Sequence, residues 1–262
     1  MPLTIHHLHL SQSERLPFLC EELNIPYNLI TYNRSPLLAP PEYKALHPSG
    51  AAPVIHDTFT TGTNNNETQT QTLTLAESGA CVQYICHKHG GGRLFLSPEH
   101  KDYAAFLYWF HWANGSFQPL LGRLMTAKGL WGKSAAATAG ATAGAGGEET
   151  GGGNESDDPV MALWHDRLRR SLEMLDKRFR SREEGGEGAK WLAGEEFTAA
   201  DVMLVFSLTT FRRFWFQYGL EGYQGVLGYL ERIRGREGYR RAMGRAEPGL
   251  VLEEEGGEGN KV

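Results

Sequence analysis

The spacing of apolar residues changes several times in the first ninety positions. Residues 3–10 form a short run rich in Leu, Ile and His, of strand length. Over 13–23, Leu16, Leu19, Cys20 and Leu23 recur at i, i+3, i+4 and i+7, one face of a helix. Pro17 falls in the first turn, where its missing N–H is tolerated. Residues 27–32 read as a second strand, and strand–helix–parallel strand is a βαβ unit. A short helix and turn are expected over 36–48, a short strand at Pro53-Val54-Ile55, and a disordered loop over 60–72, which is almost all Thr, Asn, Gln and Gly. Leu73-Thr74-Leu75 resumes a strand, and 78–87 reads as a helix. The predicted order over 1–90 is β-α-β-α-β-β-α.

After Gly90-Gly91-Gly92 a linker is expected over 91–98, and almost nothing beyond it reads as strand. Helical patterns cover 103–125, 161–179, 198–214 and 223–243, giving an all-helical domain over 99–250. Residues 132–158 are Gly/Ala/Thr-rich and too poor in apolar groups to pack, so a disordered insertion is expected there. Residues 251–262 read as a mobile acidic tail.

Composition narrows the function classes. A chain of 262 residues can bury a sizeable core in one or two domains. A formal net charge of -5 offers no basic field, which excludes nucleic acid as an expected partner. The opening residues lack the charged start and apolar run of a secretion signal, and residues 202–206, the best apolar stretch, are far too short to cross a bilayer. Three cysteines, Cys20, Cys81 and Cys86, make no CxxC pair, so a reducing, cytoplasmic location is expected, with no membrane partner. His6, His7 and His9 make no metal site, because strand alternation sends His6 and His7 to opposite faces.

Four short segments carry candidate chemistry. In Leu10-Ser11-Gln12-Ser13-Glu14-Arg15, a serine ends the first strand just before a helix N-terminus. That position N-caps the helix, and it could equally stabilise a thiolate through the hydroxyl and the positive helix end. A free thiol with a pKa of about 8.5 is only ~3% thiolate at pH 7; lowering it by about two units is worth roughly 2.7 kcal/mol and raises that fraction some 25-fold. In Ser49-Gly50-Ala51-Ala52-Pro53, a proline opening a strand could be cis, leaving the backbone of Ala52 to pair with an extended peptide, or could simply start an edge strand. In Leu75-Ala76-Glu77-Ser78, the helix mouth could cap itself or take a carboxylate at Ser78 and an ammonium group at Glu77. Thr198 and Asp201 form a capping box with a possible staple between Phe197 and Val202, which is a folding device.

Together, in this order and at these separations, the segments resemble the glutathione S-transferase superfamily, in its serine-type, fungal and bacterial branch. The segment from Tyr108 to Phe117, which includes His111, Trp112 and Asn114, is similar to a helix of that branch. The resemblance implies a fold of α/β plus all-α: a thioredoxin-like glutathione-binding domain at 1–90 and a helical substrate-binding domain at 99–250. It implies glutathione as co-substrate, with Ser11 activating the thiol, Ala52 before a cis Pro53 holding the cysteinyl backbone, and Glu77 and Ser78 holding the γ-glutamyl end. Ser13 competes with Ser11 for the thiol. His111, Trp112 and Phe117 are candidate walls for an electrophilic, mostly apolar second substrate, and a homodimer is expected.

The activity so implied is glutathione transfer to an electrophile, in secondary metabolism or detoxification. Reversible addition of glutathione would instead make a cis–trans isomerase, and a non-catalytic regulatory dimer or a glutathione-dependent peroxidase or reductase are further readings. Two positions depart from the family pattern. Ala51 stands where a basic residue often reaches the glycyl carboxylate, leaving that role to Arg34 or Lys44 or to nothing; Asn114 stands where Glu is usual.

Overall fold

The computed structural model describes residues 3–35, 37–62, 68–141 and 158–250; the side chains of 61–62, 68 and 130–141 lie outside that description. It contains two compact units: residues up to Phe95 together with those from Leu230 onward, and Leu96–Tyr229. The helical stretch drawn from the sequence as 99–250 therefore divides differently, its last part belonging with the N-terminal unit.

In the first unit β1 (Leu3–Leu8) leads through a 3₁₀ turn (Gln12–Glu14) into α1 (Arg15–Leu23), and β2 (Asn28–Tyr32) returns parallel to β1, pairing Ile5 with Leu29. A short α2 (Pro41–Lys44) precedes β3 (Val54–Gly62) and β4 (Thr68–Ala76), and α3 (Ser78–Lys88) closes the unit. The sheet order is β2-β1-β3-β4, with β1/β3 and β3/β4 antiparallel. The predicted βαβαββα order is present. Leu16, Leu19, Cys20 and Leu23, the predicted apolar face of α1, are all buried; each such Leu contributes about 1.5–3 kcal/mol by leaving water.

One expectation for this unit is corrected. Residues 60–62 and 68–72 are strand, not loop: β3 runs on to Gly62 and β4 begins at Thr68, with 63–67 outside the described residues. The reading as low-complexity polar sequence missed that threonine is β-branched and favours strands. Thr58 pairs with Thr72 and Thr60 with Thr70 in register, and the Thr58 and Thr72 hydroxyls lie 3.1 Å apart.

The second unit is all-helical. It holds α4 (Tyr103–Trp112), a π turn (Ala113–Phe117), α5 (Gln118–Ala141), α6 (Pro159–Phe179), α7 (Ala199–Leu208), α8 (Thr210–Phe214) and the start of α9 (Gln224–Arg234). The helix predicted over 103–125 is thus interrupted by the π turn, and that over 198–214 breaks at Thr209, whose φ of -114° and ψ of -96° are not helical. The insertion expected at 132–158 is corrected at its ends only: α5 extends to Ala141 and Asp158 N-caps α6, while 142–157 lie outside the described residues. Alanine-rich sequence carries intrinsic helix propensity even without an apolar face. The capping box is present at the start of α7, with Thr198 N–H donating to Asp201 Oδ2 at 2.9 Å.

α10 (Glu237–Ala246) belongs to the first unit and docks on α1. Tyr239 packs edge-on against Phe18 with centroids 5.0 Å apart, and Arg236 Nε donates to Glu22 Oε1 at 2.9 Å. The sequence pattern 223–243, read as one helix, is two, separated at Gly235. Residues 251–262, expected to be an acidic tail, lie outside the described residues.

Candidate functional site

The site is built where β1 ends. Leu10 takes φ = 52°, uncommon for a non-glycine residue, and turns the chain so that Ser11 caps the helical turn that follows. Ser11 Oγ accepts the Ser13 N–H at 3.2 Å, and the two hydroxyls lie 2.7 Å apart. Ser13 is wholly buried and Ser11 retains 2% of its surface. The two serines, rivals in the sequence reading, are in series: Ser11 is the outer hydroxyl and Ser13 stands behind it.

The chain of hydrogen bonds continues inward. Ser13 Oγ accepts the Leu8 N–H at 3.0 Å and sits 2.8 Å from His7 Nδ1. His7 Nε2 lies 3.0 Å from Glu247 Oε1, which also accepts the Leu10 N–H at 2.6 Å, while His9 Nδ1 pairs with Glu247 Oε2. His7 and Glu247 are both buried. In the sequence His7 enters only as a rejected metal ligand, and Glu247 has no assigned role. His7 carried a signal, since alternation puts it on the face of Leu3 and Ile5, both fully buried; Glu247, 240 residues away, carried none. His6 points the other way, with Nδ1 2.9 Å from the Tyr32 hydroxyl and Nε2 3.0 Å from His56 Nδ1; burial and the neighbouring His56 push its pKa down to about 4.

Two further segments meet the end of β1. The Ala52–Pro53 peptide is cis, and Gln12 Nε2 donates to the Ala52 carbonyl at 2.9 Å. Across β3 and β4, Val54 pairs with Ala76, which brings Glu77 and Ser78 alongside. Glu77 is exposed and takes φ = 77°, while Ser78 is buried at the first turn of α3. Arg15 Nη1 donates to Ser78 Oγ at 3.0 Å. Arg15 is 1% exposed, and its burial pushes the pKa down to about 9 against the opposing charge of Glu14. The sequence reading quoted Arg15 but gave it no role; an arginine leading directly into a buried helix face was the available signal. The arrangement presents a hydroxyl and cation to a carboxylate at Ser78, backbone to a peptide at Ala52, and a hydroxyl to a third group at Ser11.

Of the two candidates for the glycyl carboxylate, Arg34 is occupied at the turn, donating to His9, Leu10 and Leu37 carbonyls at 2.8, 3.0 and 2.8 Å. Lys44 is exposed, and its Cγ would lie 3.5 Å from a β-carbon placed on Gly50.

In the helical unit His111 is exposed, Trp112 half-buried and Phe117 fully buried. Phe117 stacks on Trp112 with centroids 4.9 Å apart and planes 11° apart. Phe117 therefore offers no surface to a ligand and supports Trp112 from behind, where the sequence reading had it as a wall.

Cys20, Cys81 and Cys86 are free and buried, and burial raises all three thiols, Cys81 and Cys86 to about 12. Thiols so buried and raised are poor nucleophiles. Among the described residues no helix is long and apolar enough to cross a membrane.

A mixed four-stranded sheet with a cis-proline beside a helix-capping serine, followed by a helical unit, defines a thioredoxin-like fold joined to an all-helical unit. The comparisons agree. Residues 11–88 match the family described as glutathione S-transferase, N-terminal domain, and 158–232 match glutathione S-transferase, C-terminal domain. The chain belongs to the glutathione S-transferase superfamily. It is 29% identical over 122 residues to glutathione S-transferase 3 of Schizosaccharomyces pombe, covering 45% of this chain and 44% of that protein, so the match spans less than half the relative's length. It is 26% identical over 209 residues, 80% of this chain and 79% of the other, to the disulfide-bond oxidoreductase YfcG of Escherichia coli. Among solved structures, a glutathione S-transferase from Actinobacillus pleuropneumoniae superposes with a TM-score of 0.68 at 24% identity, covering 95% of each chain.

Proposed function

We propose that this protein binds glutathione in its first unit and transfers it, as a thiolate, to an electrophilic and mostly apolar small molecule. The observation that carries this reading is the outer hydroxyl of Ser11, fixed at the opening of a helix and backed by buried polar groups, beside cis Pro53 and the Arg15–Ser78 pair. Glutathione fits the arrangement piece by piece. Its γ-glutamyl carboxylate would meet Ser78, with Arg15 behind, and its ammonium group exposed Glu77. Its cysteinyl backbone would pair with Ala52, sharing a carbonyl that Gln12 already holds, since a carbonyl oxygen has two lone pairs. Its glycyl carboxylate would reach Lys44. Ser11 would donate to the thiolate; within the helical unit, His111 and Trp112 are the residues proposed to contact an acceptor. Retention on immobilised glutathione together with turnover of a generic aryl halide tests this; retention without turnover of any electrophile contradicts transfer and favours a regulatory binding protein.

A second reading is glutathione-dependent disulfide reduction, favoured by the length of the match to the E. coli oxidoreductase. Because the chain's own cysteines are buried with raised pKa, the attacking thiolate would again be glutathione's. Oxidised glutathione accumulating with a small disulfide, and no thioether with aryl halide, selects this reading. Cis–trans isomerisation would show product of unchanged mass at constant glutathione.

A further inference from the structure

The buried chain Ser11–Ser13–His7–Glu247 has a use that the transfer reading leaves open, namely where the thiol proton goes. We propose that His7 receives the glutathione proton through the two serine hydroxyls, and that Glu247 holds the imidazolium that results. This rests on the reading that glutathione's sulfur sits at Ser11.

Proton counting supports it. Glu247 Oε1 faces the Leu10 N–H and His7 Nε2, and Oε2 faces His9. A carboxylate so placed requires the hydrogen of a neutral His7 to be on Nε2, which leaves Nδ1 as an acceptor. Ser13 then donates to Nδ1 at 2.8 Å, and Ser13 Oγ accepts the Leu8 N–H and the Ser11 hydrogen at 2.7 Å. In this state Ser11 donates inward and has no hydrogen for a thiolate. With His7 protonated the chain reverses. Nδ1–H donates to Ser13, Ser13 donates to Ser11, and the Ser11 hydrogen is free to point outward. Ser11 Oγ is then filled as an acceptor by the Ser13 N–H and hydroxyl.

Thiol ionisation converts one state into the other. The S–H bond breaks as its proton passes to Ser11 Oγ, the Ser11 hydrogen passes to Ser13, and the Ser13 hydrogen forms the new Nδ1–H bond on His7. The electron pair of the broken bond stays on sulfur, no proton leaves the site, and Ser11 ends by donating to the thiolate. His7 and Glu247 are positioning residues in the sense of a serine–histidine–carboxylate relay, with two hydroxyls between the base and the reacting sulfur. The titratable and charged groups facing Glu247 include His7 and His9 from the end of β1 and Arg34 from the turn after β2. All four are in the first unit, so the C-terminal segment completes the thiol site.

The test uses the wild-type protein first. Calorimetric titration with reduced glutathione near neutral pH, in two buffers of different ionisation enthalpy, reads proton release; S-methylglutathione is the thiol-free control. Ultraviolet absorbance reads whether the bound thiol is ionised. The expected result is bound thiolate with almost no proton released. Bound thiolate with a full proton released per site overturns the relay while leaving glutathione binding intact. Absence of heat with both ligands overturns the binding reading itself. Glu247→Gln and His7→Gln should each raise the apparent pKa of the bound thiol by about one unit, which near pH 7 lowers the thiolate fraction about threefold, with S-methylglutathione affinity unchanged. Either variant titrating like wild type, with its fold intact by circular dichroism, also overturns the relay.

Discussion

Arg15 Nη1 reaches Ser78 Oγ across 3.0 Å and so joins the start of α1 to the start of α3. The guanidinium is buried, and the charge of Glu14 opposes the effect of that burial on its pKa. A helix N-terminus adds further positive potential at Ser78. Cation, hydroxyl and helix end converge on one point, which is the environment a carboxylate needs and one that is improved by its arrival.

Replacing Arg15 should therefore act on glutathione before it acts on chemistry. Arg15→Lys keeps the charge and loses the forked donor; KM for glutathione should rise about tenfold while kcat stays within about twofold, consistent with a charge-assisted hydrogen bond of roughly 1.5–3 kcal/mol. Arg15→Met removes the buried donor to Ser78 and should lower unfolding free energy by about 1–3 kcal/mol. Steady-state kinetics and urea denaturation check the two.

Phe117 and Trp112 should separate by what they affect. Phe117→Ala removes a fully buried ring and should destabilise by about 3–5 kcal/mol, with the order of preference among acceptor substrates unchanged. Trp112→Ala should alter that order, read as kcat/KM across a series of aryl halides.

Gly225 tests the packing of the helical unit. Its N–H donates to Asp176 Oδ1 at 2.7 Å, and a β-carbon there would lie 2.4 Å from the Asp176 carbonyl oxygen and 2.7 Å from Arg180 N. Backbone atoms cannot yield as a side-chain tip can. Gly225→Ala should lower unfolding free energy by roughly 1–3 kcal/mol in urea.

His6 gives the acid limb of the stability profile. Its pKa falls from 6.5 to about 4 on folding, through burial first and the neighbouring His56 second. Below pH 6.5 the unfolded chain binds the proton and the folded chain does not, so stability present above pH 6.5 is lost as pH falls toward 4. His6→Gln should flatten the melting temperature over that window, followed by circular dichroism.

Much of this was legible in local sequence. The period of Leu16, Leu19, Cys20 and Leu23 located α1, and the alternation around His6 and His7 separated their faces. Ser11, Pro53 and Ser78 each sit where a strand meets a turn or helix, which locally reads only as a cap or a strand start; the roles proposed for them rest on the family resemblance. The strand residues 60–62 and 68–72 were missed because their polar composition concealed β-branched positions, which only pairing between the two strands makes visible. The extent of α5 was missed because alanine-rich sequence has helix propensity without periodicity. Phe117 was misplaced because an aromatic residue in a helix has the same spacing whether it faces the core or a ligand. Arg15–Ser78 and His7–Glu247 join residues 63 and 240 positions apart. No periodicity of a single segment encodes such a contact.

The most direct test is a pH titration of the thiolate absorbance of bound glutathione in wild type and in Ser11→Ala. The thiol bound to wild type should ionise about two units below the free value of about 8.5, and the variant should shift it back toward that value with glutathione still bound. A bound thiol that titrates identically in the two proteins would contradict the account.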